Sequence, residues 1–169
     1  VSGRFRIEPL SGQDRSGFAC GVSALDGYLQ KQASQDQRRR VAACYLLIAS
    51  ETSQVAGFYT LSASSVLLTD LPEATTKKLP RYPSVPVVRV GRLAIDSGYR
   101  GQKLGSALLF DAIKRAAHSG VGAFAIVVDA KDEEAAAFYR HHGFLDLSLK
   151  PRKLFLPIHE GVLLSSKPS

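Results

Sequence analysis

Arg100, Gly101, Gln102, Lys103, Leu104, Gly105 and Ser106 form the densest group of residues able to hold a ligand. The two glycines withdraw side chains that would block an approaching anion, while Arg100 and Lys103 add positive charge. Their setting matters as much as their types. Within Val87–Ala117 an apolar strand runs into this loop, and a long amphipathic helix follows it. That order aims the unpaired first amides of a helix, and the positive end of its dipole, at whatever lies beyond the strand. The chemistry expected here is the binding of a phosphorylated ligand.

The loop contains no GxxxxGK[ST] and no G-x-G-x-x-G, which argues against a nucleoside triphosphate or a dinucleotide. A short Arg/Gly loop at a helix start suits the pyrophosphate of coenzyme A instead. Two basic clusters, Arg38-Arg39-Arg40 and Lys77, Lys78 with Arg81, read either as solvated surface or as a track for a polyanion. The net charge of +7 is compatible with both. Arg89 and Arg92 sit at odd spacing on one strand and face opposite sides, so at most one of them enters a given cleft. Tyr139, taken alone, is a core aromatic beside Phe138. His141 and His142 read as surface, Cys20 and Cys44 as small core residues, and Asp132 and Glu133 as the start of a helix.

The elements that must position these residues follow from periodicity. Phe5–Leu10 alternates as an edge strand. Ser23 opens a helix, with Asp26 at capping-box distance and Ala24, Leu25, Tyr28, Leu29 and Ala33 as its apolar stripe, running into the arginine triplet. Cys44–Ala49 and Val55–Ser62 form a hairpin about a turn at Glu51–Gln54. Leu68–Pro86, with four prolines and a helical turn over Glu73–Leu79, is an ordered excursion over a ligand site. The loop's helix spans Gln102–Ser119 and ends at Gly120 and Gly122. A buried strand, Ala123–Val128, precedes a helix that Asp132 caps and Gly143 terminates. Phe144–Leu149 and Leu154–Ile158 close the sheet, and residues 160–169 form a loose tail. The layout is a strand-rich α/β domain with an antiparallel middle and strand–helix–strand units after it.

At 169 residues and 45% hydrophobic content, one domain over 1–169 has enough core to need neither disulfide nor metal. Four scattered histidines and two cysteines without CxxC spacing argue against a metal site and for a reduced, cytoplasmic setting. No apolar run is long enough to cross a bilayer, and no signal-peptide pattern opens the chain.

The segment RLAIDSGYRGQKLGSALL (92–109), followed by AFYRHHGF (137–144), resembles the GNAT acetyltransferase superfamily, whose acetyl-CoA loop reads R/Q-x-x-G-x-G/A. Arg100, Gly101, Gln102, Leu104 and Gly105 fall in register, whereas Lys103 stands where a glycine is usual. The ordered pieces FACGVSALDGYLQKQA, VAGFYTLSA, RVGRLAID and FYRHHGF look like the acetyltransferase toxins of bacterial toxin–antitoxin pairs. Those toxins acetylate the amino group of an amino acid attached to tRNA, and a ribbon-helix-helix antitoxin restrains them.

The resemblance implies a GNAT fold, a mixed and mostly antiparallel central sheet flanked by helices. It implies acetyl-CoA as donor, without metal, held by Leu93, Ala94, Ile95 and residues 100–106. Aminoacyl-tRNA would lie along Arg38–Arg40, Lys77, Lys78, Arg81 and Arg92. Partners would be the antitoxin, operator DNA through that complex, and a second copy of the chain, with no membrane. Backbone N–H groups of Leu93, Ala94 and Ile95 suit the oxyanion of a tetrahedral intermediate. Tyr139, a phenol protonated at neutral pH, suits protonation of the departing thiolate. No general base is named, since an α-amine beside an ester needs none stronger than water. Two other readings stay open: acetylation of a protein N-terminus, lysine or small amine, and a non-enzymatic operon regulator or acetyl-CoA sensor.

Overall fold

The computed structural model describes residues 3–147 and 150–159. Its elements run in the order β1 (Phe5–Pro9), α1 (Ser23–Gly27), a π-helical segment (Tyr28–Gln32), α2 (Ala33–Arg38), β2 (Ala43–Ala49) and β3 (Val55–Leu67). After these come a 3-10 turn (Leu68–Asp70), α3 (Glu73–Thr76), β4 (Ser84–Ile95), a second 3-10 turn (Ser97–Tyr99), α4 (Leu104–Ala117), β5 (Ala125–Asp129), α5 (Glu133–His141), β6 (Leu145–Asp146) and β7 (Lys153–Pro157). Seven strands take the order β1-β2-β3-β4-β5-β7-β6. β4 and β5 pair in parallel, whereas β1–β2, β2–β3, β5–β7 and β6–β7 are antiparallel.

The residues divide into two compact units, Val1–Ser62 with Gly91–Ala112, and Ala63–Val90 with Ile113–Ser169. In the first, Leu29, Ala33, Leu46 and Phe58 are fully buried beside Phe18, Tyr28, Cys44 and Ala94. Phe18 meets Phe58 edge-on, with ring centroids 5.5 Å apart. Cys20 and Cys44 are buried, as expected of small core residues. In the second unit Leu71, Val85, Val87, Ala125, Val127, Leu147 and Phe155 form the core. The excursion after β3 is closed by a Leu68 amide to Pro83 carbonyl bond of 3.0 Å, and Leu71 and Leu79 anchor it to that core.

Several boundaries differ from the periodicity. β3 continues to Leu67 and β4 begins at Ser84, because exposed alternating residues lengthen both strands. The first helix is interrupted by the π-helical segment, and Ala24 is exposed, so the buried stripe starts at Tyr28. Asp26 does not complete a capping box on Ser23. Val22 occupies the cap position without a side-chain bond, and Asp26 accepts the Cys20 amide at 2.8 Å. Asp132 does cap α5, accepting from the Ala135 amide at 2.8 Å. Of the strand expected over Phe144–Leu149 only Leu145–Asp146 is regular; Ser148 and Leu149, and the tail at 160–169, lie outside the described residues. Among the described residues no helix is long and apolar enough to cross a membrane.

Candidate active site

The loop is built from the end of β4. The chain turns at Asp96, whose Oδ1 accepts from the Gly98 amide at 2.8 Å and whose Oδ2 accepts from the Ala19 amide at 2.9 Å. One carboxylate thus caps the turn at Ser97–Tyr99 and ties it to the segment before α1. The Asp96 amide donates to the Ala56 carbonyl and the Ser97 amide to the Ala19 carbonyl, which locks the strand end on both sides. Facing it, β3 carries Gly57 at a register shift in the β2–β3 ladder. A Cβ at Gly57 would stand 2.9 Å from the Ala94 carbonyl oxygen and 2.8 Å from Ile95 Cδ1. Only glycine permits this close approach. The backbone of Leu93, Ala94 and Ile95 is therefore placed by its neighbours rather than by its own side chains.

Beyond the turn, Gly101 has φ +83° and Lys103 has φ 60°, with Gln102 between them outside the left-handed region. Left-handed residues set among ordinary ones curve the backbone into a concave nest of amides, a shape that accepts anions. No atom lies within 4 Å of where a Gly101 Cβ would be, so the cradle is open on that side. α4 begins at Leu104 rather than Gln102, and its opening amides, from Leu104, Gly105 and Ser106, continue the cradle. The substitution of lysine at a position where glycine is usual now has a physical meaning: Lys103 adopts glycine's backbone conformation.

Arg100 is tied to the segment ahead of α1. Its Nη2 donates to the Cys20 carbonyl oxygen, and the guanidinium lies 3.3 Å from where a Gly21 Cβ would sit. Gly21 itself has φ +93°. Arg100 thus braces the loop against the chain ahead of α1.

Tyr139 lies in the last turn of α5, 8% exposed, with its ring against Phe138 and Phe144 at centroid distances of 5.2 and 5.5 Å. Its carbonyl accepts the His142 and Phe144 amides, which turns the helix end at Gly143. Among the described residues its hydroxyl makes no hydrogen bond. Burial pushes its pKa up to about 12, so the phenol keeps its proton well above neutrality. His142 bonds the Phe138 carbonyl through Nδ1 at 2.8 Å, which makes it a partly buried helix-end residue rather than a surface one.

The basic residues separate into paired and unpaired. Arg38, Arg39 and Arg40 are exposed at the end of α2, where Arg40 reverses the chain at φ 61°. Lys77, Lys78 and Arg81 are exposed in the proline-rich excursion. Arg89 is engaged by Asp129 at 2.6 Å, whereas the Arg92 guanidinium carbon stands 3.5 Å over the Tyr28 ring. Three contributors escaped the sequence reading: Asp96, Gly57 and Tyr28. The Asp96-Ser-Gly order is a local signal for a capped turn, but Gly57 and Tyr28 act through partners distant in sequence.

A strand end with constrained amides, a nest of left-handed residues and a helix start together define an acyl-CoA-binding acyltransferase. The chain belongs to the acetyltransferase (GNAT) family, whose model matches residues 18–144. It is an acetyl-CoA-dependent N-acetyltransferase. It is similar to the tRNA-acetylating toxin of Mycobacterium tuberculosis (strain ATCC 25618 / H37Rv), 37% identical over 145 residues, 85% of either chain. Among solved structures it resembles AtaT complexed with acetyl-methionyl-tRNAfMet, at TM-score 0.88 and 32% identity, covering 95% of this chain and 98% of that one. It also resembles the AtaT-AtaR complex bound to DNA, at TM-score 0.76 and 30% identity, covering 94% and 98%.

Proposed function

We propose that this chain, acting as one domain, transfers acetyl from acetyl-CoA to the α-amino group of aminoacyl-tRNA, as the toxin of a toxin–antitoxin pair. The observation that carries this reading is the near end-to-end likeness to AtaT, a protein seen with acetyl-methionyl-tRNAfMet. Acetyl-CoA supplies the activated thioester. The neutral amine forms the C–N bond, the C–S bond breaks, and the amine's surplus proton goes to water. Backbone N–H groups from Leu93, Ala94 and Ile95 hold the oxyanion, and the splinted end of β4 keeps them oriented before reaction. Tyr139 gives its proton to the leaving sulfur and recovers one from solvent. A hydroxyl without a competing acceptor among the described residues suits that role.

The cradle from Gly101 to Ser106 receives the pyrophosphate, Lys103 adds charge beside it, and Arg100 keeps the loop closed on Cys20. Arg38–Arg40, Lys77, Lys78, Arg81 and Arg92 receive the acceptor's phosphates. The reaction belongs in the cytoplasm, where charged tRNA is. A ribbon-helix-helix antitoxin, operator DNA through it, and a second copy of the chain complete the partners. Incubation with labelled acetyl-CoA and a total charged tRNA pool tests the central reaction. Label should appear on the aminoacyl group and be lost on deacylation. Label that goes only to protein termini, lysines or small amines, or a chain that binds DNA without turnover, would replace this reading with another.

A further inference from the structure

Tyr28 begins the π-helical segment, and its ring lies under the Arg92 guanidinium at 3.5 Å. Its hydroxyl donates to Asp36 Oδ2 at 2.9 Å, while Gln32 donates to Asp36 Oδ1 at 2.9 Å. Both oxygens of the carboxylate are therefore occupied by neutral donors. The hydrogen bonds from Gln32 and Tyr28, with a smaller contribution from the charges of Arg92 and Arg39, hold Asp36 below the usual carboxylate range. Arg92 itself makes neither an ion pair nor a hydrogen bond among the described residues, in contrast to Arg89 three residues earlier on the strand. A guanidinium stacked by its face keeps its in-plane N–H fork available for a second ligand. A neighbouring acid that could have claimed the fork has instead been given to a tyrosine and a glutamine. Arg92 also precedes Leu93, the first residue of the stretch assigned to the oxyanion, and shares the field of Asp36 with Arg39 of the exposed triplet.

We propose that Tyr28, fixed by Asp36, is a positioning residue that presents the Arg92 fork to a phosphate at the 3′ end of the nucleic-acid acceptor. Arg39 and Arg92 then mark two points of one cationic track that leads to the acetyl-transfer strand. The inference rests on the reading of aminoacyl-tRNA as acceptor and adds a specific device to it.

The test uses the full chain and compares steady-state kinetics and salt dependence for Arg92→Gln, Arg92→Lys, Tyr28→Phe and Tyr28→Leu on charged tRNA. Arg92→Gln and Tyr28→Leu should raise KM for charged tRNA about tenfold and lower the slope of log(kcat/KM) against log salt by about one. Their KM for acetyl-CoA should stay as in the wild type. Tyr28→Phe, which keeps the ring but releases Asp36 Oδ2, should fall between the wild type and Tyr28→Leu, and Arg92→Lys should rescue the charge but not the KM. In a double-mutant cycle, Tyr28→Leu should add little once Arg92→Gln is present. Should Tyr28→Leu fail to fold, Arg92→Gln and Tyr28→Phe carry the test. An unchanged tRNA KM and salt slope in Arg92→Gln, with wild-type turnover intact, overturns the positioning role alone. A wild-type chain that acetylates no charged tRNA overturns the acceptor assignment and this inference with it.

Discussion

At the scale of single residues, a phenol and a lysine carry the sharpest consequences. Tyr139→Phe removes one hydroxyl from a ring whose packing against Phe138 and Phe144 is untouched. Turnover should fall by about 10²–10⁴, the range of a lost general acid, while acetyl-CoA affinity measured by calorimetry stays within about twofold. Retained turnover would take Tyr139 out of the chemistry. Lys103, at φ 60°, bears a left-handed cost of about 1–2 kcal/mol that glycine does not. Lys103→Gly should therefore stabilise the chain by about 1 kcal/mol in urea denaturation. The same variant reports on charge: weaker acetyl-CoA binding despite higher stability would show that the ammonium acts on the pyrophosphate.

At the scale of elements, β3 and β4 meet so closely at Gly57 that one methyl group is a severe test. Gly57→Ala places a Cβ 2.9 Å from the Ala94 carbonyl, a backbone atom that cannot rotate away. A loss of about 1–3 kcal/mol is expected, together with a kcat deficit if the strand's amides are displaced. Thermal denaturation and kinetics on the same sample separate the two. The elements also show what could be read from the sequence. The Asp132 cap was legible because an N-cap is a contact over three residues. The strand–loop–helix order at 87–117 was legible because its periods and glycines are local. Asp26 misled, since its spacing from Ser23 fits a capping box and its actual partner, the Cys20 amide, lies upstream of the helix. The bond from Arg100 to the Cys20 carbonyl was not legible, because its acceptor stands 80 residues earlier. The π-helical segment leaves no trace in composition: its apolar residues match an α-helical stripe almost as well.

At the scale of the whole molecule, charge and ionisation decide behaviour. Tyr28 and Tyr139 both have pKa values raised to about 12, chiefly by burial, against an ordinary value near 10. A raised folded-state pKa means that the unfolded chain releases these protons first. The stabilising contribution is complete below about pH 10 and is lost as pH climbs toward 12. Stability should be insensitive to these groups at neutral pH and should fall across that alkaline window. Following tyrosinate absorbance and far-UV circular dichroism together, with Tyr28→Phe and Tyr139→Phe to identify these two rings, checks this: ionisation of either ring near pH 10 without unfolding would contradict it. Reversing Arg38, Arg39 and Arg40 to glutamate removes three exposed cations from a chain of net charge +7 and leaves its core alone. Use of charged tRNA should weaken and its salt dependence flatten, by up to about three in slope, while the melting temperature holds. Unaltered tRNA kinetics would reduce the triplet to solvated surface.

The π-helical segment has a consequence that is a matter of phase. Tyr28 and Asp36 are eight residues apart, yet their side chains meet at 2.9 Å. In an uninterrupted α-helix two turns take about seven residues, so the eighth has rotated past the starting face. A π turn holds roughly one residue more, and one such turn returns position 36 to the face of position 28. The segment works as an inserted count. Deleting one residue from it, for instance the exposed Lys31, would restore regular pitch and keep the face, whereas regular pitch at full length would carry Asp36 and the three arginines after it about 80° around the axis. In that second case the chain would keep every side chain proposed to contact the acceptor and lose the angle at which they are offered.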